Sequence, residues 1–228
     1  MIKYFLLFGA ACGAFTVPIA AQDEPNWDFE GYVALTTDQR DRGLKFSDSG
    51  TTLYGSLAAY HTSGFYGGLD ASLINNGFRD GERTEFFAGY GFESGAYIYD
   101  VSVELDGIHL DSSSYYPEFK ASMARDFGLA YIRGGLSYAP EGRWNTPDVD
   151  SYYSYVDLEV PVPLISQLTV LTHIGYDARD GRSNLLDWSV GLSVFVFDNL
   201  EISFSYADSS LDQEIGRDGI AFGARIFF

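Results

Sequence analysis

The chain has 228 residues and a formal net charge of −18, from 32 acidic against 14 basic side chains. Such an excess excludes a nucleic-acid partner, whose phosphates require a basic surface. With 17 Tyr, 18 Phe and 25 Gly, the composition favours strands joined by turns, and a single Cys provides no disulfide framework.

Residues 1–21 read as an export signal. Lys3 is the positive start, Tyr4–Phe15 is apolar or small, and Ile19-Ala20-Ala21 is a cleavage site. The apolar run falls short of the roughly 20 residues of a spanning helix, and Gly9-Ala10-Ala11 before Cys12 makes a poor lipobox. Cleavage after Ala21 removes Lys3 and Cys12, so the charge goes from −18 to −19 and no thiol remains. No later stretch approaches a spanning helix, so any membrane embedding has to be as a β-barrel.

From residue 22 onward the chain is a succession of two-faced segments. Trp27-Phe29-Gly31-Val33-Leu35 alternates with Asp28, Glu30, Tyr32 and Ala34. The same pattern runs through 53–60, 65–73, 84–92, 97–105, a weaker Phe119–Met123, 130–138, 152–160, 168–176, 186–196, 200–206 and 220–228. Period-2 alternation means a strand with unlike faces. Twelve such strands, or ten if Phe119–Met123 is discounted, are predicted, most near the ~9–11 residues of a tilted transmembrane strand. The last row, Ile220-Phe222-Ala224-Ile226-Phe228, ends on an aromatic, as the closing strand of an outer-membrane barrel does.

Connections alternate in length. Thr37–Gly50, Asn75–Glu82, Asp106–Pro117, Ala139–Asp150, Asp177–Asn184 and Asp208–Asp218 read as long; Thr62-Ser63-Gly64, Glu93-Ser94-Gly95, Asp126-Phe127-Gly128 and Phe197-Asp198-Asn199 read as short, with Pro161–Gln167 intermediate. Outer-membrane barrels sort their turns in this way, short on the periplasmic side and long outside. A soluble sandwich also alternates, yet its connections need not sort by length. Aromatics gather at the ends of the apolar row, for example Trp27, Phe65, Tyr97, Tyr138, Trp188 and Phe228, as interfacial girdles require. The expected fold is an all-β, antiparallel up-and-down transmembrane barrel of residues 22–228.

The opposite face carries Asp28, Glu30, Asp70, Glu85, Asp100, Glu104, Glu118, Asp157, Glu159, Asp187 and Glu201 against Lys120, Arg133 and Arg225. Such a lumen favours cations if hydrated; if plugged, its acids pair with Lys, Arg and Tyr. Asp70, Glu85, Asp100, Glu104, Asp157, Glu159 and Asp187 are the pore-lining candidates, with Arg40 and Arg42 if the first loop folds inward; capping strand ends at the surface is their other reading. No loop has the spacing of a calcium loop, and no metal or cofactor is expected. Of the histidines, His61 falls beside a short turn, His109 in a long loop and His173 on the lumen face. A lipid hydrolase needs His and Ser together at the outer, lipid-facing rim, and no segment supplies that pair, so no enzyme is expected.

The run Thr37-Asp38-Gln39-Arg40-Asp41-Arg42-Gly43-Leu44-Lys45-Phe46-Ser47-Asp48 and the hairpin Ser63-Gly64-Phe65-Tyr66-Gly67-Gly68 resemble signatures of the TorF-type putative porin family of proteobacteria. Asp38, Arg40, Arg42 and Gly43 match, while Gln39, Asp41 and Lys45-Phe46 depart. The resemblance implies an outer-membrane channel and no catalytic residues. Passive passage of small hydrophilic solutes, with a preference for cations, is therefore the expected function. The alternative is a closed barrel acting as adhesin, receptor or structural anchor through its acidic loops. Expected partners are outer-membrane lipid and lipopolysaccharide, the permeating solutes or cations, and the barrel-assembly machinery through the last strand.

Overall fold

The computed structural model describes residues 26–46, 50–75 and 80–228; the expected export signal and Cys12 lie outside them. In chain order the strands are β1 (Trp27–Thr36), β2 (Arg40–Asp41), β3 (Leu44–Lys45), β4 (Thr52–His61), β5 (Phe65–Asn75), β6 (Asp80–Ser94), β7 (Tyr97–His109) and β8 (Ser113–Asp126). There follow β9 (Tyr131–Ala139), β10 (Gly142–Arg143), β11 (Thr146–Pro147), β12 (Ser151–Pro161), β13 (Leu168–Arg179), β14 (Leu185–Phe197), β15 (Leu200–Ser209) and β16 (Gly219–Phe227). The four two-residue strands form hairpins of their own, β2 with β3 and β10 with β11. The other twelve make one closed antiparallel barrel, with β16 paired to β1. All twelve expected segments are strands, and the weak Phe119–Met123 lies inside the 14-residue β8.

The alternation explains the inside-out burial. Phe29 is 74% exposed and Leu136 64%, both on the outer surface, whereas Glu85 and Asp187 are each 2% exposed on the inside. Closure leaves no open sheet edge, so every strand finds its ladder without water, as an apolar surroundings demands. Rings pair at both rims. Phe65 and Tyr90 (centroids 4.9 Å apart) and Phe92 and Tyr99 (5.2 Å) lie at the short-turn end. Tyr138 and Tyr152 (4.8 Å) and Trp188 and Tyr206 (5.5 Å) lie at the other.

Three expected long loops are corrected, one of them because β13 runs on to Arg179. β6 begins at Asp80, and residues 110–112 alone turn β7 into β8. Asp106 and Asp177 are thereby strand residues facing inward, not loop acids; both are buried. Apolar alternation marks only the stretch that faces an apolar medium. A strand that overshoots it needs no unlike faces and reads as loop.

The β1–β16 seam is closed by Phe228. Its N–H donates to the Gly31 carbonyl (2.9 Å) and its own carbonyl accepts from the Gly31 N–H (3.0 Å). The Phe228 ring occupies the place a side chain on Gly31 would take, 2.7 Å from an added Cβ. Gly31→Val should therefore push the ring off the seam, and Phe228→Ala should strip it. Both variants are expected to reduce the heat-modifiable, folded fraction on a detergent gel, Gly31→Val more because it adds a clash. A folded fraction equal to wild type in both would refute this role of the ring.

Candidate pore and the bar that crosses it

Residues 37–46 of the first connection fold into the bore. Arg40 pairs with Lys45 and Asp41 with Leu44, leaving Arg42-Gly43 as a two-residue turn. Both turn residues have positive φ, 49° and 74°, the type I′ geometry that suits the twist of a hairpin. Arg42 takes this conformation at a cost of roughly 1–2 kcal/mol for a side-chain-bearing residue, and Gly43 takes it freely. The tip packs against the wall two to three strands round from β1. A Cβ on Gly43 would stand 2.8 Å from the Cβ atoms of both Asp187 on β14 and Ser209 on β15. The hairpin thus lies along the β14–β15 wall and crosses the lumen through Arg42, whose side chain reaches β8, β9 and β12 on the side opposite β1 and β4, with Leu44 and Phe46 fully buried.

The bar is docked by charge. Arg42 pairs with Glu118 on β8, donates to the Ser137 hydroxyl (3.0 Å), and lies 4.0 Å over the Tyr153 ring. Arg143, on the β10–β11 hairpin, pairs with Asp41 of the bar and donates to the other Glu118 oxygen (3.0 Å). Beside Arg143, Trp144 packs on Phe46 (4.6 Å), above a buried cluster of Phe46, Ile74 and Ile108. Burial works to raise the Asp41 carboxyl, but Arg143, Arg83 and Arg42 overcome it and hold it below the usual carboxylate range. Arg40 acts differently. It pairs with Asp38 (2.8 Å) and donates to the carbonyls of Gly43 (3.1 Å) and Arg217 (2.8 Å), tying the loop rather than facing the wall.

The walls around the bar are laced with ion pairs. Arg83 joins Glu85 and Asp106, each at 2.6 Å, and Lys120 joins Glu104. His173 bridges Asp157 (2.6 Å) and Asp187 (2.9 Å), and its Nε2 lies 2.8 Å from the Tyr153 hydroxyl. A cavity of about 220 Å³ remains. It runs between this charged half and Ser189, Gly191, Ser203, Ser205 and Ala221 on β14–β16, whose small side chains leave the space.

Of the pore-lining candidates, Glu85, Asp157, Asp187, Arg40 and Arg42 border the cavity. Asp70, Asp100, Glu104 and Glu159 do not. Asp70 stands opposite Glu85 in the β5–β6 register, and Asp100 accepts from the Tyr66 hydroxyl (2.8 Å); Glu104 and Glu159 are buried. Sequence reasoning missed Asp41, Arg83 and Arg143. Asp41 sits beside an Arg-Gly pair, a turn signal that could have found it. Arg143 falls in a segment read as a loop and Arg83 between an expected loop and an expected strand, with no local mark of where they point.

His109 is not in a loop but at the outer end of β7, with its ring nitrogens 3.0 Å from the Ser113 hydroxyl and 2.8 Å from that of Thr84. The His–Ser neighbourhood expected to be absent therefore exists there, although its third member is a hydroxyl and not a carboxylate. His61 lies at the opposite rim, 2.7 Å from the Ser63 hydroxyl. Among the described residues no group of His, Cys, Asp and Glu is arranged to hold a metal ion.

The model of a bacterial protein family of unknown function, Gcw_chp, matches residues 20–224. The chain belongs to the Gcw_chp family. No curated protein matches its sequence. Solved structures similar to this Gcw_chp chain include the KdgM porin in complex with disordered oligogalacturonate. That likeness has a TM-score of 0.59 at 10% identity, over 88% of this chain and 98% of the porin. The COG4313 outer membrane channel from Pseudomonas putida F1 is similar with a TM-score of 0.52 at 12% identity, over 92% and 99% of the two chains. At such identities the likeness is one of fold: a closed barrel shared with outer-membrane channels.

Proposed function

We propose that the chain is an outer-membrane channel for passive diffusion of small hydrophilic solutes, with a preference for cations. The observation that carries this reading is the inverted barrel, apolar outside and charged inside, with an internal cavity of about 220 Å³. Residues 1–21 are then the export signal, lipid and lipopolysaccharide surround the barrel, and the assembly machinery receives it through β16. The TorF-type resemblance supports the same reading. Its matching residues Asp38, Arg40, Arg42 and Gly43 build and tie down the bar. Catalysis is not proposed. The His109–Ser113 pair is exposed and lacks a carboxylate to orient the imidazole.

The alternative, a closed barrel serving as adhesin, receptor or anchor, is favoured by one feature: the bar and the Phe46–Trp144 packing obstruct the bore. Purified protein in a planar bilayer under a KCl gradient separates the two. The channel reading expects discrete conductance steps and a reversal potential of the sign set by cations. A protein that folds, inserts and never conducts would leave the alternative standing.

A further inference from the structure

The bar is attached to the barrel in an unusual way. Its two strands pair only with each other and with no barrel strand, so it can leave the lumen without breaking a ladder bond of the wall. A lone two-stranded hairpin is marginal by itself; side chains of Asp41, Arg42, Glu118 and Arg143 keep it across the bore. Those four charges form an alternating chain in which Arg143 also holds Glu118 directly, at 3.0 Å.

We propose that the β2–β3 hairpin is a gate latched shut by the Asp41–Arg143–Glu118–Arg42 chain, and that conduction requires the hairpin to swing out of the bore. This rests on the channel reading. Each state satisfies its charges. Shut, both ion pairs to the bar are made in a desolvated site, where the cost of removing ions from water offsets much of their attraction. Open, Glu118 and Arg143 keep each other as partners, while Asp41 and Arg42 leave together and regain hydration. Neither state strands a buried charge, and that condition makes a two-state element responsive to small biases. The apolar Phe46–Trp144 contact adds a second hold on the shut state.

The test is single-channel recording in KCl of the full-length protein and two kinds of variant, each first shown to be heat-modifiable on a gel. Arg143→Gln strips Asp41 of its partner in the shut state, whereas in the open state Glu118 still has Lys120 beside it, at 3.8 Å. The substitution should raise the open fraction by about tenfold or more, a shift that takes about 1.4 kcal/mol. Gly43→Cys with Ser209→Cys places two thiols where the tip meets β15. Their Cβ atoms start 2.8 Å apart, and the tip must retreat by about 1 Å to reach the disulfide range of roughly 3.5–4.5 Å. Oxidised, this variant should be silent; dithiothreitol should restore openings. Equal conductance and open fraction in wild type and Arg143→Gln, or currents in the oxidised pair equal to those of the reduced, overturns the gate and leaves the channel. Silence from every folded variant, reduced pair included, overturns the channel and the gate with it.

Discussion

Glu118→Ala is expected to cost about 3–5 kcal/mol in the docking of the bar, the range for removing one partner of a buried ion pair. Among the described residues Glu118 is the one acid that Arg42, Arg143 and Lys120 all approach, the last at 3.8 Å. Its removal leaves two guanidiniums and an ammonium facing one another with little water between them. The twelve-strand ladder does not depend on this contact, so the barrel should still form. What should change is local: proteolysis of the bar, and the denaturant concentration at which its contacts are lost. Glu118→Gln keeps an acceptor oxygen and should cost less. Glu118→Leu combined with Arg42→Met, Arg143→Met and Asp41→Asn should recover much of the loss, because the charges that dock the bar are then removed together and Lys120 keeps Glu104. The measurement is limited proteolysis across a urea series. A cleavage profile of Glu118→Ala indistinguishable from wild type would mean the network does not hold the bar.

β8 shows how much of the fold was legible in the sequence. Its outward row, Phe119-Ala121-Met123, is short because Glu118 and Lys120 are inward and the strand continues past the apolar zone to Ser113. The strand was visible and its length was not. The same physics hid Asp106 and Asp177, which look like loop acids because they stand beyond the stretch where an apolar surroundings imposes alternation. Face assignment survived everywhere else: Glu85, Asp157, Asp187 and Glu201 are as enclosed as a lumen face implies. Partner choice was out of reach. That Arg83 meets Asp106 two strand positions across, or that Arg143 descends from a distant hairpin onto Asp41, depends on register and loop path. Neither is written in local spacing. Arg40 and Arg42 carry the same charge two residues apart, yet the tight turn sends them apart. Arg42 goes to the wall and Arg40 back to Asp38 and the loop backbone.

Ion preference should follow the enclosed acids and ignore the loop acids. Asp212, Glu214 and Asp218 stand at the open end and are exposed, where screening over about 8 Å at physiological salt blunts them. Enclosed charges act across a narrow gap against a low-dielectric wall, so their field is less diluted. Glu104 is paired with Lys120, and Asp157 with His173. Neutralising either acid removes one negative charge and leaves a partly exposed base beside the path. Glu104→Gln and Asp157→Asn are therefore expected to lower the cation-to-anion permeability ratio, each by about threefold or more. A factor of three needs only about 0.7 kcal/mol, against roughly 1 kcal/mol for two unit charges 4 Å apart even in bulk water. Arg42→Gln should shift the ratio the opposite way, because it removes a positive charge from the bore and frees one oxygen of Glu118. Arg40→Gln should do little, since its charge is spent on Asp38 at the edge of the loop. Reversal potentials in a salt gradient read all of these directly. A potential that moves with Asp212→Asn, Glu214→Gln and Asp218→Asn while ignoring Glu104→Gln and Asp157→Asn would place the filter at the outer mouth instead.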